Sequence, residues 1–418
     1  MFELAFLTAH EILDSRARPT LSVTVALAGG RPVRAGVPAG ASTGSREAAE
    51  RRDGDASRFT GQGVLGVVEA VRGEISAALL GRRFADQGEI DRALVELDGT
   101  HDKHRLGANA IVGVSMAVAR ALAEQTAQPL WRSLNPRGVP ARLPVPHFNV
   151  VNGGAHAANA LDFQEFMLAP LGAPSLAEAV RAGAEIYARL RNELAAKGHT
   201  VGLGDEGGFA PELTSPEEVC RLLVGAIEAA GYRPGRDGVA LALDPAASEL
   251  YRDGRYHLAG EALTSDELIE RYGELVAAFP IWSLEDGLAE SDWAGWRQLA
   301  DRLGDQIQLV GDDILVTNPA IITEAIEQKI ANAALIKLNQ IGTVSETLEA
   351  MRLCRQGGWA QMVSHRSGET EDSFIADLAV GSGCGQLKSG APARGERVAK
   401  YNRLIEIEAD HALGYGAR

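Results

Sequence analysis

The chain of 418 residues is long enough for two domains or for one large barrel with an appended unit. Its formal net charge of -15 at pH 7 makes nucleic acid and anionic membrane surfaces poor partners, and we expect neither. The three cysteines, Cys220, Cys354 and Cys384, form no paired motif, which argues against a disulfide framework or a thiolate metal site. The N-terminus lacks a secretory pattern and no stretch reaches about 18 uninterrupted apolar residues, so the sequence predicts a cytoplasmic protein.

Residues 1–130 predict a small α+β domain. Apolar residues alternate from Leu21 to Leu27 and resume at Val33 after two glycines, which is typical of a β-hairpin with a glycine turn. Helical periodicity follows near 62–80 and again over about 107–126. Five prolines between positions 129 and 146 then indicate the linker that leads out of this domain.

From residue 140 to residue 418 the pattern changes to short apolar segments that end in ionisable residues and are separated by helical stretches. These segments reach Asp244, Glu285, Asp312, Lys337, His365 and Lys388. Parallel strands that are covered on both faces are apolar almost throughout, so the repeat predicts a (β/α)8-like barrel whose strand ends share one mouth. A doubly wound sheet with helix-capping acids after its strands is the alternative that the pattern leaves open.

The charged residues at these strand ends suggest metal-assisted acid–base chemistry. Three carboxylates, Asp244, Glu285 and Asp312, are hard oxygen ligands that suit Mg²⁺. Only six of the 41 basic residues are lysines, yet Lys337 and Lys388 both lie on predicted barrel strands. Lysine loses its proton when burial and neighbouring positive charge lower its pKa, so a lysine beside metal ions can act as a base. The alternative is a lysine that snorkels or forms a structural salt bridge.

One polar segment after a predicted strand is suited to an anionic ligand. The stretch SHRSGETED, residues 364–372, places Arg366 and Ser367 directly after His365. The planar guanidinium of arginine matches a phosphate group, and the serine can add further contacts. Alone, this is a weak signal for phosphate.

Three further segments carry signals that are each typical of ordinary loops. The small-residue stretch PAGASTG, residues 38–44, holds Ser42 and is of the kind that closes over a ligand. Glycine-flanked segments place His156 and Glu165 in one loop and Glu206 in another. The two glutamates could share a proton for general acid catalysis.

The chain resembles enolase (phosphopyruvate hydratase) along essentially its full length. The motifs that carry the resemblance, in family order, are EILDSR, ASTG with RDGD, LGANAI, NGGAH with QEF, GDEGGFAP, ALD with ASE, SLEDGLAE, GDD, LIKLNQIGT, SHRSGETED, and GAPAR with RVAKYN. The resemblance implies an N-terminal α+β capping domain with a closing loop over 1–130 and an enolase-type barrel over 140–418 that begins with two antiparallel strands. It also implies two Mg²⁺ ions per active site and a homodimer or homo-octamer.

The resemblance also assigns roles to the candidate residues. Lys337 is expected to remove the C2 proton of 2-phosphoglycerate, and Glu206, helped by Glu165, to assist loss of the C3 hydroxyl. The other implied roles are the first Mg²⁺ for Asp244, Glu285 and Asp312, the second Mg²⁺ for Ser42, the substrate carboxylate for Lys388, the phosphate for Arg366 and Ser367, and the pocket wall for His156 and His365. The implied product is phosphoenolpyruvate.

Several positions depart from the usual residues of the family without removing a catalytic group, among them Ala17, Arg18, Arg46, His147 and Ala158. Many of them lie in loops that shape the lid of the pocket. A second hypothesis is therefore a paralogue of phosphonate antibiotic biosynthesis that makes carboxyphosphonoenolpyruvate from 2-phosphoglycerate and phosphonoformate. An added cation such as Arg46 and a smaller residue such as Ala158 could accommodate the extra carboxylate, unless the changes are surface drift. A third hypothesis, a non-catalytic enolase-like binding protein, conflicts with the complete set of reactive groups.

Overall fold

The computed structural model describes residues 1–41, 43–157 and 159–417. Ser42 and Ala158, two positions for which the sequence suggests a role, lie outside the described residues. No helix within the described ranges is long and apolar enough to cross a membrane.

The N-terminal part is a four-stranded sheet packed against helices. Its strands are β1 Phe2–Leu13, β2 Pro19–Leu27, β3 Val33–Gly36 and β4 Arg83–Phe84, in the order β3-β2-β1-β4. Its helices are α1 Leu65–Ala70, α2 Ser76–Leu79, α3 Gln87–Asp98, α4 Ala108–Gln125 and α5 Leu130–Ser133, with a 3₁₀ turn at Phe59–Gly61 and a π-helical turn at Val71–Ile75. The predicted hairpin is confirmed, because β2 and β3 pair antiparallel with Ser22 opposite Gly36 and Gly29 takes a φ of 76° in the turn.

The remainder of the chain, the C-terminal part, contains a closed barrel and short strands that lie outside it. Its strands are β5 Arg142–Leu143, β6 Val145–Asn152, β7 Glu165–Ala169, β8 Ala240–Asp244, β9 Tyr251–Arg252, β10 Arg255–Leu258, β11 Glu261–Leu263, β12 Ile281–Glu285, β13 Gln308–Gly311, β14 Ala333–Ile336, β15 Ala360–Ser364, β16 Gln386–Lys388 and β17 Gly414–Tyr415. Its helices are α6 Leu176–Ala196, α7 Pro216–Ala229, α8 Ala247–Leu250, α9 Ser265–Ala278, α10 Trp293–Leu303, α11 Pro319–Gln328, α12 Leu338–Ile341, α13 Val344–Gln356, α14 Phe374–Ser382 and α15 Gly395–Asp410, with a 3₁₀ turn at Gly154–His156.

The eight barrel strands close in the order β6-β7-β8-β12-β13-β14-β15-β16 and back to β6. Strand β7 runs antiparallel to both of its neighbours, and all other pairs are parallel. The expected antiparallel start of the barrel is therefore confirmed, and the doubly wound alternative is wrong. Every residue of β6, β7 and β8 is buried, and β7 and β8 are apolar apart from Glu165 and Asp244 at their ends, as expected for strands covered on both faces.

Local sequence sets where the barrel helices begin. The side chains of Ser175, Ser215, Thr264 and Thr343 each accept a hydrogen bond from the backbone N–H three residues later, at the starts of α6, α7, α9 and α13. Such caps satisfy donors that have no partner inside the helix. These four helices therefore have starts that the local sequence defines.

Polar contacts fasten the N-terminal part to the barrel. Asp91 on α3 accepts hydrogen bonds from the backbone N–H and the hydroxyl of Ser345, at 3.0 and 2.6 Å, where α13 begins. Lys103 pairs with Glu346 at 2.9 Å. Because a buried charge that loses its partner is costly, these contacts keep the N-terminal part in place beside the barrel.

Replacement of Asp91 tests this anchoring. Burial raises the pKa of Asp91 to about 6 from an ordinary value of 3.8. At pH values between these two, Asp91 is protonated in the folded chain and ionised in the unfolded chain. Stability from this group is therefore lost as the pH rises towards about 6. We expect the difference in free energy of unfolding, wild type minus Asp91→Asn, to fall by on the order of 2 kcal/mol as the pH rises from about 4.5 to about 7.5. Urea unfolding measures it, with the exposed cap variant Asp86→Asn as control, and a pH-independent difference would contradict the account.

Candidate active site

The predicted site residues gather in one pocket at the mouth of the barrel. It is lined by His156, Gln164, Glu165, Glu206, Asp244, Asp312, Lys337, Ser364, His365, Arg366, Ser367 and Lys388. Glu285 contacts Lys388 directly, so every described residue with an expected role belongs to this cluster. A larger cavity of about 760 Å³, between β1, β3 and residues 369–372, contains none of them, so volume alone does not identify the site.

Lys388 lies at the centre of a group of buried carboxylates. Its Nζ is 2.6 Å from Glu285 Oε1, 3.0 Å from Glu165 Oε2 and 3.8 Å from Asp244 Oδ2. Burial acts to lower the pKa of Lys388, but these three carboxylates outweigh it and hold the pKa well above its ordinary value. The side chain is 3% exposed and does not snorkel to solvent. Lys388 is therefore a buried, charged partner of acids from three different strands.

Lys337 is the second buried lysine of the mouth. It follows β14, and its Nζ forms an ion pair with Asp312. Gln340 holds the other carboxylate oxygen of Asp312 at 2.8 Å, and the hydroxyl of Thr317 accepts the backbone N–H of Lys337 at 2.9 Å. Burial acts to lower the pKa of Lys337, but Asp312 raises it above its ordinary value overall. In this arrangement the amine is protonated and rigidly placed.

The two glutamates predicted to share a proton lie on either side of His156. His156 Nδ1 is 3.6 Å from Glu165 Oε1, and Nε2 is 3.7 Å from Glu206 Oε1. Burial and the charge of Glu206 raise the pKa of Glu165 well above its usual range. Burial also acts to raise the pKa of Glu206, but His365 and His156 outweigh it and hold that pKa well below the usual range. The two environments therefore differ, and a proton is favoured more on Glu165 than on Glu206, the expected acid.

Arg366 is held by a carboxylate that the sequence analysis did not single out. Its Nη1 and Nη2 each lie 3.0 Å from an oxygen of Glu47, and Nη1 also donates to Asn339 at 2.8 Å. Glu47 follows the PAGASTG loop by three residues and accepts the backbone N–H of Gly44 at 3.1 Å. This bidentate ion pair occupies the guanidinium N–H groups of Arg366 that could bind an anionic ligand.

The donor set fits a magnesium ion, although the structure does not unite the three expected ligands. Asp244, Glu285 and Asp312 end or follow the neighbouring strands β8, β12 and β13. Glu285 Oε2 is buried and has no hydrogen-bond partner among the described residues, as expected for an atom that could bind a cation. Within those residues, only Asp312 of the three joins a group of potential ligands within 4.8 Å, together with Asp286 and Asp313. Lys388 and Lys337 separate the three acids by pairing with them, so their joint role as ligands stays a prediction.

Asp286 is a further residue that sequence reasoning missed. Its two carboxylate oxygens accept the backbone N–H groups of Asp312 and Asp313 at 2.8 and 3.0 Å. Burial and the neighbouring charge of Asp313 raise its pKa well above the usual range. Asp286 therefore shapes the loop after β13 and sets the direction of Asp312. The only signal in the sequence was its position directly after Glu285.

The unusual residues of the chain lie at different distances from the pocket. Arg46 is exposed, donates to the carbonyl of Ile314 at 2.6 Å and lies 5.9 Å from the ring of Trp293. Arg18 is exposed and lines a separate cavity. His147 is buried in β6, pairs in register with Lys388 and has a pKa lowered by burial to about 3. Arg46 and Arg18 are therefore not among the residues that line the pocket in this structure.

The fold and this cluster of buried carboxylates and lysines are typical of barrel enzymes that perform acid–base chemistry. Comparison with models of known families matches residues 5–134 to "Enolase, N-terminal domain" and residues 140–417 to "Enolase, C-terminal TIM barrel domain". The chain belongs to the enolase family. Membership supports an enolase-type lyase in general, and proteins of this family typically bind Mg²⁺.

Replacement of Lys388 tests the charge balance of the pocket. Lys388→Met leaves three buried carboxylates without their cation, so we expect the free energy of unfolding to fall by about 3 kcal/mol. Added Mg²⁺ should recover part of the loss, because a cation that binds the folded state stabilises it. Chemical unfolding with and without Mg²⁺ measures both effects. Lys197→Met, at an exposed position, is the matched control, and equal stability of the two variants would show that Lys388 does not balance the acids.

Proposed function

We propose that the protein is an Mg²⁺-dependent lyase that abstracts the C2 proton of 2-phosphoglycerate and eliminates the C3 hydroxyl to form phosphoenolpyruvate. Family membership supports the reaction class. The observation that carries the proposal is the pocket in which Lys337, Lys388 and Arg366 face a group of buried carboxylates. A substrate with a carboxylate and a phosphate needs cations of this kind on a chain with a net charge of -15.

Proton abstraction is the difficult step. A C–H group beside a carboxylate is weakly acidic, so a base can remove its proton only where the dianionic enolate is stabilised as it forms. Bound Mg²⁺, with Asp244, Glu285 and Asp312 as the proposed ligands of the first of two ions and Ser42 as a ligand of the second, would supply that stabilisation. Lys337 would take the proton. Its pair with Asp312 favours the charged amine, so withdrawal of the Asp312 charge favours the neutral amine that a base requires.

Loss of the C3 hydroxyl needs a proton donor. The pKa directions favour a proton on Glu165 over Glu206, and the imidazole of His156 lies between the two glutamates at 3.6 and 3.7 Å. We assign Glu206 as the acid, with Glu165 as the proton reservoir. The raised pKa of Glu165 supports the reservoir role, and the lowered pKa of Glu206 means that Glu206 must receive a proton before it can donate one.

Substrate binding would exchange partners within the pocket. The phosphate would replace Glu47 on the guanidinium of Arg366, with Ser367 beside it, because the phosphate and that carboxylate bind the same donors. Lys388 would face the substrate carboxylate. Release of Glu47 from Arg366 would free the adjoining loop that carries Ser42 to close over the substrate.

The cellular setting follows from the same resemblance. We propose a cytoplasmic homodimer or homo-octamer that acts on a small phosphorylated hydroxy acid. The strongly negative net charge supports the expectation that neither nucleic acid nor membrane is a partner.

The second candidate is the phosphonate-pathway paralogue that makes carboxyphosphonoenolpyruvate. The observation that favours it is Arg46, an added cation directly before Glu47, which holds the proposed phosphate-binding arginine. Both candidates share the abstraction of the C2 proton, whereas a non-catalytic binding protein would show no turnover.

Product analysis separates these candidates. We expect ultraviolet absorbance to show rapid formation of phosphoenolpyruvate from 2-phosphoglycerate, and this formation should require Mg²⁺. Addition of phosphonoformate should leave the rate and the phosphorus NMR spectrum of the products unchanged. A new carbon–phosphorus product that forms only with phosphonoformate would establish the paralogue instead. Absence of any product under both conditions would contradict both proposals.

Removal of the proposed base tests the role of Lys337. Lys337→Met should lower kcat on the order of 10³-fold, because the C2 proton then has no positioned acceptor. Lys329→Met, at an exposed lysine at the end of α11, should keep wild-type kinetics. Steady-state assays at saturating Mg²⁺ make the comparison. If Lys337→Met retained most of its activity in a folded state, Lys337 would not be the base.

A further inference from the structure

Arg397 is a fully buried arginine that ties together the loops on two sides of the pocket. It lies on α15, and its Nη1 donates to His365 Nδ1 and to the carbonyl of Arg366, each at 2.6 Å. Its Nη2 donates to the carbonyls of Ser367 and Asp205 at 2.6 and 3.1 Å. Sequence analysis assigned no role to this residue, and Arg397 does not line the pocket.

The contact between Arg397 and His365 determines which ring nitrogen carries the proton. A guanidinium group has only donors and stays protonated in proteins. The nitrogen that faces it, Nδ1, must therefore offer its lone pair. Burial lowers the pKa of His365 to about 3, so the ring is neutral and its single proton resides on Nε2.

The other side of the ring faces the pocket. His365 Nε2 lies 3.1 Å from Glu206 Oε2, so a proton on this nitrogen would be attracted to the carboxylate, although the two atoms are not aligned as a hydrogen bond. The same carboxylate oxygen accepts the amide N–H of Asn149 at 2.9 Å. With the opposite tautomer, an N–H would face the guanidinium and a lone pair would face the carboxylate, and both contacts would be repulsive.

We propose that Arg397 is a positioning residue that fixes the Nε2–H tautomer of His365 and thereby presents a donor to Glu206. This inference rests on the proposed function for the acid role of Glu206, whereas the tautomer itself does not depend on any reaction. Arg397 sets the direction of the His365 dipole without touching the substrate. Loss of this contact would leave Glu206 with the amide of Asn149 but without an oriented imidazole N–H, and would lower the rate more than the affinity.

The first experiment measures the tautomer directly. The full-length protein, labelled with ¹⁵N in histidine, is examined by long-range ¹H–¹⁵N NMR, and the His365 signals are identified by their loss in His365→Gln. In the wild type at neutral pH we expect an unprotonated Nδ1 and a protonated Nε2. A protonated Nδ1 would overturn the proposal whether or not the protein acts on 2-phosphoglycerate.

The second experiment separates positioning from general loop support. Arg397→Met should lower kcat roughly 10- to 100-fold with little change in KM for 2-phosphoglycerate, as is typical when the orienting partner of a histidine is lost. Arg394→Met is the matched control, because Arg394 bonds to the carbonyls of Gly204 and Ser15 but has no contact with His365. Arg397→Lys, which keeps a donor, should recover part of the rate and the Nε2–H tautomer even if Arg397→Met fails to fold.

The outcomes of the two experiments are distinguishable. Equal kinetics of Arg397→Met and Arg394→Met, or an unchanged Nε2–H tautomer in Arg397→Met, would overturn the positioning role. An inactive wild type with the Nε2–H tautomer would instead contradict the proposed function and leave the tautomer assignment standing.

Discussion

The buried ion pairs of Lys388 with Glu165 and Glu285 are the interaction on which the arrangement of the pocket depends. Several carboxylates at neighbouring strand ends would repel one another in a water-poor site, and a cation among them makes the cluster tolerable. The same need for a charged partner applies to the other buried lysines. Four of the six, including Lys103 and Lys400, are buried and paired, while arginine supplies nearly all of the positive charge at the surface. In this chain lysine is found mainly at buried positions where its compact ammonium group has a partner.

The barrel explains how so many charges can meet. Closure of eight strands places residues that lie about 30 positions apart in sequence side by side at one mouth, and Arg16 and Glu47 of the N-terminal part bond there to Ser367 and Arg366. Burial then makes each charge sensitive to its neighbours, so two glutamates on either side of His156 acquire opposite pKa directions. A pocket of this kind costs stability and is retained because unequal acids and positioned cations are what proton transfer requires.

The sequence predicted the barrel, its strand ends and the lysines because these features are local: an apolar run followed by an ionisable residue, repeated along the chain. The antiparallel direction of β7 came only from the family resemblance, since a short apolar run carries no information about direction. Two contacts were not predicted, that of Glu47 with Arg366 and that of Arg397 with His365. The partners are 319 and 32 residues apart in the sequence, and neither pair has a local sequence signature. The pairing of Lys388 with Asp244 and Glu285, rather than a single group of three acids, likewise depends on packing.

The most direct test of the account is exchange of the C2 proton of 2-phosphoglycerate with solvent deuterium, followed by ¹H NMR in the presence and absence of Mg²⁺. Exchange reports the formation of the enolate itself and does not depend on which product follows. We expect exchange that requires both Mg²⁺ and Lys337. Absence of exchange in the folded wild type with Mg²⁺, or exchange that persists in Lys337→Met, would contradict the claim that this pocket generates a stabilised enolate.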